Sequence, residues 1–174
     1  GFMKEMLVAP VSRTSIILGK IFGGAVTASI QGIILLAVAG VMGAFTPTHF
    51  LVLGVVASIG VMLLLATGFV GLGVAIGSTL NDFHAFQLLS TFVIWPLFML
   101  SGVFFPIDAV PQPLQVAMLF DPMFYGVELL RWCLLGAGTP LLGPLGWLIS
   151  LGVLVSFNMI MIGVGTFLFS RAQV

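Results

Sequence analysis

The chain has 174 residues, 60% of them hydrophobic and only 6% charged, and its formal net charge is zero. About 25% of the residues of an ordinary soluble domain are charged, so this composition excludes a soluble globular domain. With no basic patch and no acidic tail, it also gives no footing for nucleic acid as a partner. Cys133 stands alone, which rules out an internal disulfide framework or a cysteine-based metal cluster within the chain.

The chain opens on Gly1, without a charged leader and cleavage site, so either Met3 is the true start or the sequence is a fragment, and the fragment is the favoured reading. Its first 20 residues hold Lys4, Glu5, Arg13 and Lys20. Phe2, Met3, Met6 and Leu7 are apolar beside the polar Lys4 and Glu5, which predicts a short amphipathic helix stopped by Pro10. Ser12 is placed to cap the helix that becomes the first span. On pattern alone a basic surface anchor explains this segment as well as a docking contact does.

Between Lys20 and Asp82 there is no Asp, Glu, Lys or Arg, and the polar break Thr46-Pro47-Thr48-His49 divides that run in two. At about 1.5 Å rise per residue, each half is long enough to cross a hydrocarbon layer of roughly 30 Å. Four spans are predicted: Ile21 to Phe45, Phe50 to Leu80, about Phe83 to Phe105 with a kink at Pro96, and about Leu141 to Phe169. None of these stretches alternates as a barrel strand would, so all are read as helices. Lys and Arg concentrate before the first span and after the last, which predicts cytoplasmic ends and an even number of crossings in a cell (plasma or inner) membrane.

The stretch 107–138 differs. Asp108, Pro111, Pro113, Asp121, Pro122, Glu128 and Arg131 leave no charge-free window long enough to span. Asp121-Pro122 predicts a helix start, a carboxylate cap followed by Pro at the first helical position. Glu128 and Arg131, three apart, are expected to pair on one face. The segment therefore reads as short amphipathic helices in the outer leaflet. The expected fold is an all-α membrane protein: four transmembrane helices, an N-terminal cytoplasmic amphipathic helix, and short outer-leaflet helices before the last span.

Small residues recur at four-residue spacing as Gly24, Ala28, Gly32, Gly40 and Ala44, and Gly73 and Gly77 form a GxxxG flanked by Gly68 and Gly71. Such faces let helices approach closely, within one bundle or between copies. Gln31 and Asn158 are read as buried amides that serve either helix–helix contacts or a substrate pathway. His49 and His84 fall at opposite membrane faces, so no metal site is expected. No HExxH, GxSxG or intramembrane acidic pair points to hydrolysis.

Two separated motifs carry a family resemblance. Glu5-Met6-Leu7, Ala9-Pro10-Val11-Ser12-Arg13 and Gly19-Lys20 resemble the cytoplasmic segment of ABC-2 type transporter permeases, the daunorubicin-resistance permease group included. Ser101-Gly102-Val103-Phe104-Phe105-Pro106, then Pro111, Leu114, Asp121-Pro122, Val127-Glu128 and Arg131, resemble the family's stretch between its last two spans.

The resemblance implies the C-terminal part of a six-span permease, with residues 1–174 as its membrane domain and two spans preceding it. It implies pairing with a second permease subunit, identical or not, in the lipid bilayer. It further implies a separate ABC ATPase subunit that binds ATP and Mg; no G-x-x-x-x-G-K-[ST] occurs here, so no cofactor is expected on this chain. Residues 1–20 become the coupling segment, with Lys4, Glu5, Met6, Leu7, Pro10, Ser12 and Arg13 contacting the ATPase. Asp121, Glu128 and Arg131 become the outer gate or pair. The implied function is export of a drug, lipid or polysaccharide-like substrate. A secondary transporter is disfavoured, since no span interior holds an ionisable residue for ion coupling, and a noncatalytic scaffold or sensor subunit is the remaining rival.

Overall fold

The computed structural model describes residues 13–43, 51–80, 82–136 and 138–171. Among them the secondary structure is helical throughout: α1 (Arg13–Val41), α2 (Leu51–Thr79), α3 (Phe83–Leu100), α4 (Gln112–Leu119), α5 (Pro122–Leu135) and α6 (Gly146–Arg171), with 3-10 turns at Ile107–Ala109 and Pro140–Leu142. Three helices are long and apolar enough to cross a membrane, Ser15–Val41, Val52–Thr79 and Gly146–Leu168, and His84–Leu100 is a shorter apolar helix. The N-terminal amphipathic helix, the Ser12 cap and the Thr46 to His49 break lie outside the described residues.

Several boundaries differ from expectation for identifiable reasons. The first helix begins at Arg13 rather than Ile21, so exposed Lys20 sits inside it. The third stops at Leu100 rather than Phe105. Ser101 caps it with its hydroxyl on the Phe98 carbonyl (2.6 Å), and Gly102 turns the chain at φ 78°. At 18 residues α3 is about 27 Å long, and it runs unbroken across Pro96. The last helix starts at Gly146, because Pro140–Leu142 forms its own turn and Gly143 takes φ 66°.

The packing register gives the topology. Gly24 meets Val70 and Gly32 meets Met62, so α1 is antiparallel to α2. Gly68 meets Phe157, Gly71 meets Met161 and Gly165, and Asn158 bonds across to Leu64 and Thr67, so α6 is parallel to α2. The start of α1 and the end of α6 therefore share the Thr79 end of the bundle. Gly77 meets Phe86, placing the start of α3 at that end as well.

The central crossing is α2 on α6. Asn158 donates to the Leu64 carbonyl (2.8 Å) and to its own helix at Leu154 (2.9 Å), and its oxygen accepts from the Thr67 hydroxyl (2.5 Å). Gly68 and Gly71 carry the close approach on α2, and Gly73 of the predicted GxxxG has nothing near its Cβ position. On the other side a core of Val61, Ile107, Met118, Phe124, Tyr125, Leu129 and Leu154 joins α2, α4, α5 and α6, with Leu100 of α3 packed on it.

The backbone approach at Gly54 is the tightest in this packing. An added Cβ there would collide with the backbone carbonyl of Cys133 on α5, whereas Gly73 faces open space. Gly54→Ala is expected to lower stability by about 1–3 kcal/mol, the usual cost of overpacking. Gly73→Ala is expected to stay within about 0.5 kcal/mol. Thermal unfolding of the detergent-solubilised protein measures both.

Candidate functional site

The site is built where α3 ends and α5 begins. A Cβ at Gly126 would meet Leu65, and Cys133 touches Gly54, so α5 runs along α2 from the level of Leu65 to the Leu51 end. Gly126 to Cys133 is seven residues of α5, about 10 Å of depth. α5 stands beside α2 and rises where α3 has stopped. Irregular backbone at such depth is tolerated only when protein buries it, and the polar residues nearby supply the means.

Asp121 starts α5 as the Asp-Pro pair predicts. Its backbone is extended (φ −86°, ψ 119°), its Oδ1 accepts from Met123 N–H at 2.9 Å, and Pro122 takes the first helical position. The side chain is 1% exposed, and Oδ2 has no hydrogen-bond partner among the described residues. Tyr125 donates to the Leu119 carbonyl at 2.8 Å, stapling α5 to α4.

Glu128 and Arg131 take separate partners, and this corrects the expected pair. Arg131 Nη2 donates to the Gly102 carbonyl at 2.6 Å, tying α5 to the turn after α3. Glu128, 1% exposed, accepts through Oε1 from Thr139 N–H and so holds the strand leading into α6. Both charges thus satisfy backbone groups of segments that have left helical structure. Glu128 Oε2, Trp132 Nε1 and Thr139 Oγ1 are buried nearby without partners among the described residues, and a Cβ at Gly138 would collide with Trp132 and Glu128.

The two amides also separate. Asn158 is buried and fully engaged between α2 and α6. Gln31 is exposed on α1 rather than buried, because the contact side of α1 runs through Ile17, Ile21, Ala25 and Ser29. Lys4, Glu5, Met6, Leu7, Pro10 and Ser12 lie outside the described residues; Arg13 begins α1, and its side chain is likewise not described.

One feature escaped the sequence reading. His84, Gln87, Leu88, Thr91, Phe92, Trp95 and Pro96 line a groove of about 620 Å³ on α3. A second groove of about 340 Å³ adjoins it, adding Phe86, Ser90 and Ile94. The signal was present as Gln87, Ser90 and Thr91 at i, i+3 and i+4, polar neighbours on one side of an otherwise apolar helix.

The family model described as ABC-2 type transporter matches residues 1–135. The chain belongs to the ABC-2 type transporter family. It is 29% identical over 133 residues to nodulation protein J of Rhizobium leguminosarum bv. viciae, covering 76% of this chain and 49% of that protein. It is 28% identical over 148 residues to the inner membrane transport permease YadH of Escherichia coli K12, covering 84% and 56%. It is 39% identical over 69 residues to the capsule polysaccharide export inner-membrane protein CtrC of Neisseria meningitidis serogroup A, covering 40% and 26%. The chain thus spans about half the length of the first two relatives. No solved structure matches it significantly. Family members are membrane subunits that usually work with an ABC ATPase subunit.

Because Glu128 and Arg131 serve different backbone groups, exchanging them is expected to recover nothing. The Glu128→Arg/Arg131→Glu double variant should be at least as unstable as either single change. Glu128→Gln, which keeps an acceptor for Thr139 N–H, should cost less than Glu128→Ala, where about 1–3 kcal/mol is expected for the orphaned donor. Detergent-resistant fold and unfolding temperature report each.

Proposed function

We propose that this chain is the C-terminal part of a permease subunit of an ATP-driven ABC exporter. The observation that carries this is the family match over residues 1–135, joined to a bundle whose first and last helical residues share one end. Three long helices cross, and α3 and α5 end to end supply a fourth passage, giving the even count that the Lys and Arg distribution requires. On this reading the Thr79 end is cytoplasmic and the Leu51 end external. A second permease subunit and two ATPase subunits, which bind ATP and Mg, complete the transporter.

The α3 groove is the surface we assign to the pathway. Gln87 and Thr91 are exposed on a helix at membrane depth, where bare lipid is a poor neighbour for an amide. Trp95 and Phe92 add ring faces to those hydrogen-bonding groups. That chemistry suits a polyhydroxylated or lipid-linked saccharide, and the relative CtrC is named for capsule polysaccharide export. A noncatalytic scaffold gives no reason for a polar groove on the helix least embedded in the bundle.

The coupling contact is assigned to residues 4–13. Glu5 and Arg13 are its polar contacts, Met6 and Leu7 its apolar plug, and Lys4, Pro10 and Ser12 set its charge and shape. A purely topogenic anchor needs only positive charge. In the full-length permease, Glu5→Ala and Leu7→Ala should therefore abolish ATP-dependent uptake into inside-out vesicles while insertion and expression stay normal. Crosslinkers at positions 5 and 7 should reach the ATPase. Normal transport by both variants, with no crosslink, returns the segment to the role of an anchor.

A further inference from the structure

We propose that one face of α3 binds a glycolipid of the bilayer, with the sugar headgroup at the end where α3 starts and the acyl chain along the rings farther in. This deepens the pathway reading, and it rests on that reading for the side of the membrane the headgroup faces. His84, Gln87, Thr91, Trp95 and Phe98 stand at i, i+3, i+7, i+11 and i+14, so they form one row along the helix. All five are exposed. Phe104, past the end of the helix, continues the row. Its ring meets Phe98 edge-on at 5.2 Å, and Phe98 meets Trp95 edge-on at 6.4 Å.

The row changes its chemistry along the helix axis. Hydrogen-bonding side chains come first, His84, Gln87 and Thr91, and aromatic rings follow, Trp95, Phe98 and Phe104. The Gln87 amide both donates and accepts, and Thr91 gives its hydroxyl proton to the Gln87 carbonyl (2.8 Å), which leaves its lone pairs to accept. Sugar hydroxyls donate and accept, and so match both. From Gln87 to Phe98 is 11 residues, about 16 Å, close to half of a hydrocarbon core of roughly 30 Å. A lipid of one leaflet has the same order over the same length, hydrogen-bonding groups and then hydrocarbon. No Asp, Glu, Lys or Arg lines either groove, and Asp82 caps α3 at the headgroup end, which disfavours an anionic headgroup.

Two simpler occupants fit less of the row. Bulk lipid has no use for the Gln87 amide, which is costly to leave against hydrocarbon. A free saccharide carries hydroxyls along its whole length and gains little from the ring half, where Trp95 is 57% and Phe104 50% exposed. With the Thr79 end cytoplasmic, as the transport reading has it, the headgroup sits on the cytoplasmic side and the chain points to the middle of the bilayer. That is the orientation such a lipid already has in the cytoplasmic leaflet, so it enters the groove sideways without turning over.

The test uses the full-length permease in nanodiscs with Trp95 as its one fluorophore, every other Trp, Trp132 and Trp147 included, being changed to Phe. The probes are lipids brominated in the middle of their acyl chains: a diglucosyl diacylglycerol, a phosphatidylcholine and a phosphatidylglycerol. At equal mole fraction the glycolipid should quench Trp95 most, by an enrichment of about fivefold, the worth of one neutral hydrogen bond. Gln87→Met, which keeps the length and loses the amide, should bring it down to the phosphatidylcholine level. Unbrominated diglucosyl diacylglycerol should compete the quenching away, and soluble maltoheptaose should not. Should that background not fold, a diglucosyl diacylglycerol with a diazirine in its acyl chain should photolabel Trp95, Phe98 or Phe104 in the wild type, and label Gln87→Met less. Quenching by either phospholipid equal to that by the glycolipid overturns the proposal. So does displacement by maltoheptaose, or enrichment undiminished in Gln87→Met. Binding is read without ATP or ATPase, so its failure is distinct from a loss of ATP-dependent uptake, which would overturn the transport reading instead.

Discussion

A bilayer core supplies no water, so every backbone group that leaves a helix at membrane depth must find its partner inside the protein. The passage between α3 and α5 is where this chain meets that constraint. From Ser101 to Pro111 the backbone is mostly not helical, and several of its groups are met by specific bonds. Arg131 covers the Gly102 carbonyl, Gln115 Nε2 covers the Val110 carbonyl, and Ala109 and Val110 N–H fold back on Pro106 and Ile107. Asp121 covers the Met123 donor at the new helix start, and Tyr125 covers the Leu119 carbonyl at the old helix end. α5 is pressed on α2, and Gly54 and Gly126 are what permit that closeness. The charges between the last two long helices are thus explained by backbone satisfaction before any gating role is invoked.

Much of this could be read from residues alone. An uncharged run from Lys20 to Asp82 forces two long helices, and Asp121-Pro122 marks a helix start because an acceptor side chain and a donor-free first position are a local requirement. What could not be read was tertiary. Glu128 and Arg131 are three apart on one helix, and helix geometry alone pairs them; the competing partners, the Gly102 carbonyl that accepts from Arg131 and the Thr139 N–H that donates to Glu128, are 29 and 11 residues away. Gln31 looked buried because a lone amide in a span wants a partner, yet the buried positions of α1 run through Ile17, Ile21, Ala25 and Ser29 and miss it. Likewise the GxxxG at Gly73 and Gly77 was the stronger pattern, but helix register put Gly68 and Gly71 at the crossing with α6.

The bonds also divide the molecule into a frame and a looser part. α1, α2 and α6 are joined by side chains inserted at Gly24, Gly32, Gly68 and Gly71 and by the Asn158 amide, contacts spread along the length of α2. α3 touches the rest chiefly at its two ends: Phe86 on Gly77 at one, and Leu100 with the Gly102 turn at the other. Between them Leu88, Phe92 and Trp95 are 57–78% exposed. A helix held at both ends and free along its middle can tilt without breaking the frame, provided the end joints yield. One joint is the Asp82 cap, whose carboxylate accepts from His84 N–H at 3.2 Å on an exposed turn. The other is the Arg131–Gly102 bond, part-buried and charge-assisted, and so the harder of the two to release. The Arg131–Gly102 bond is therefore what ties the end of α3 to α5.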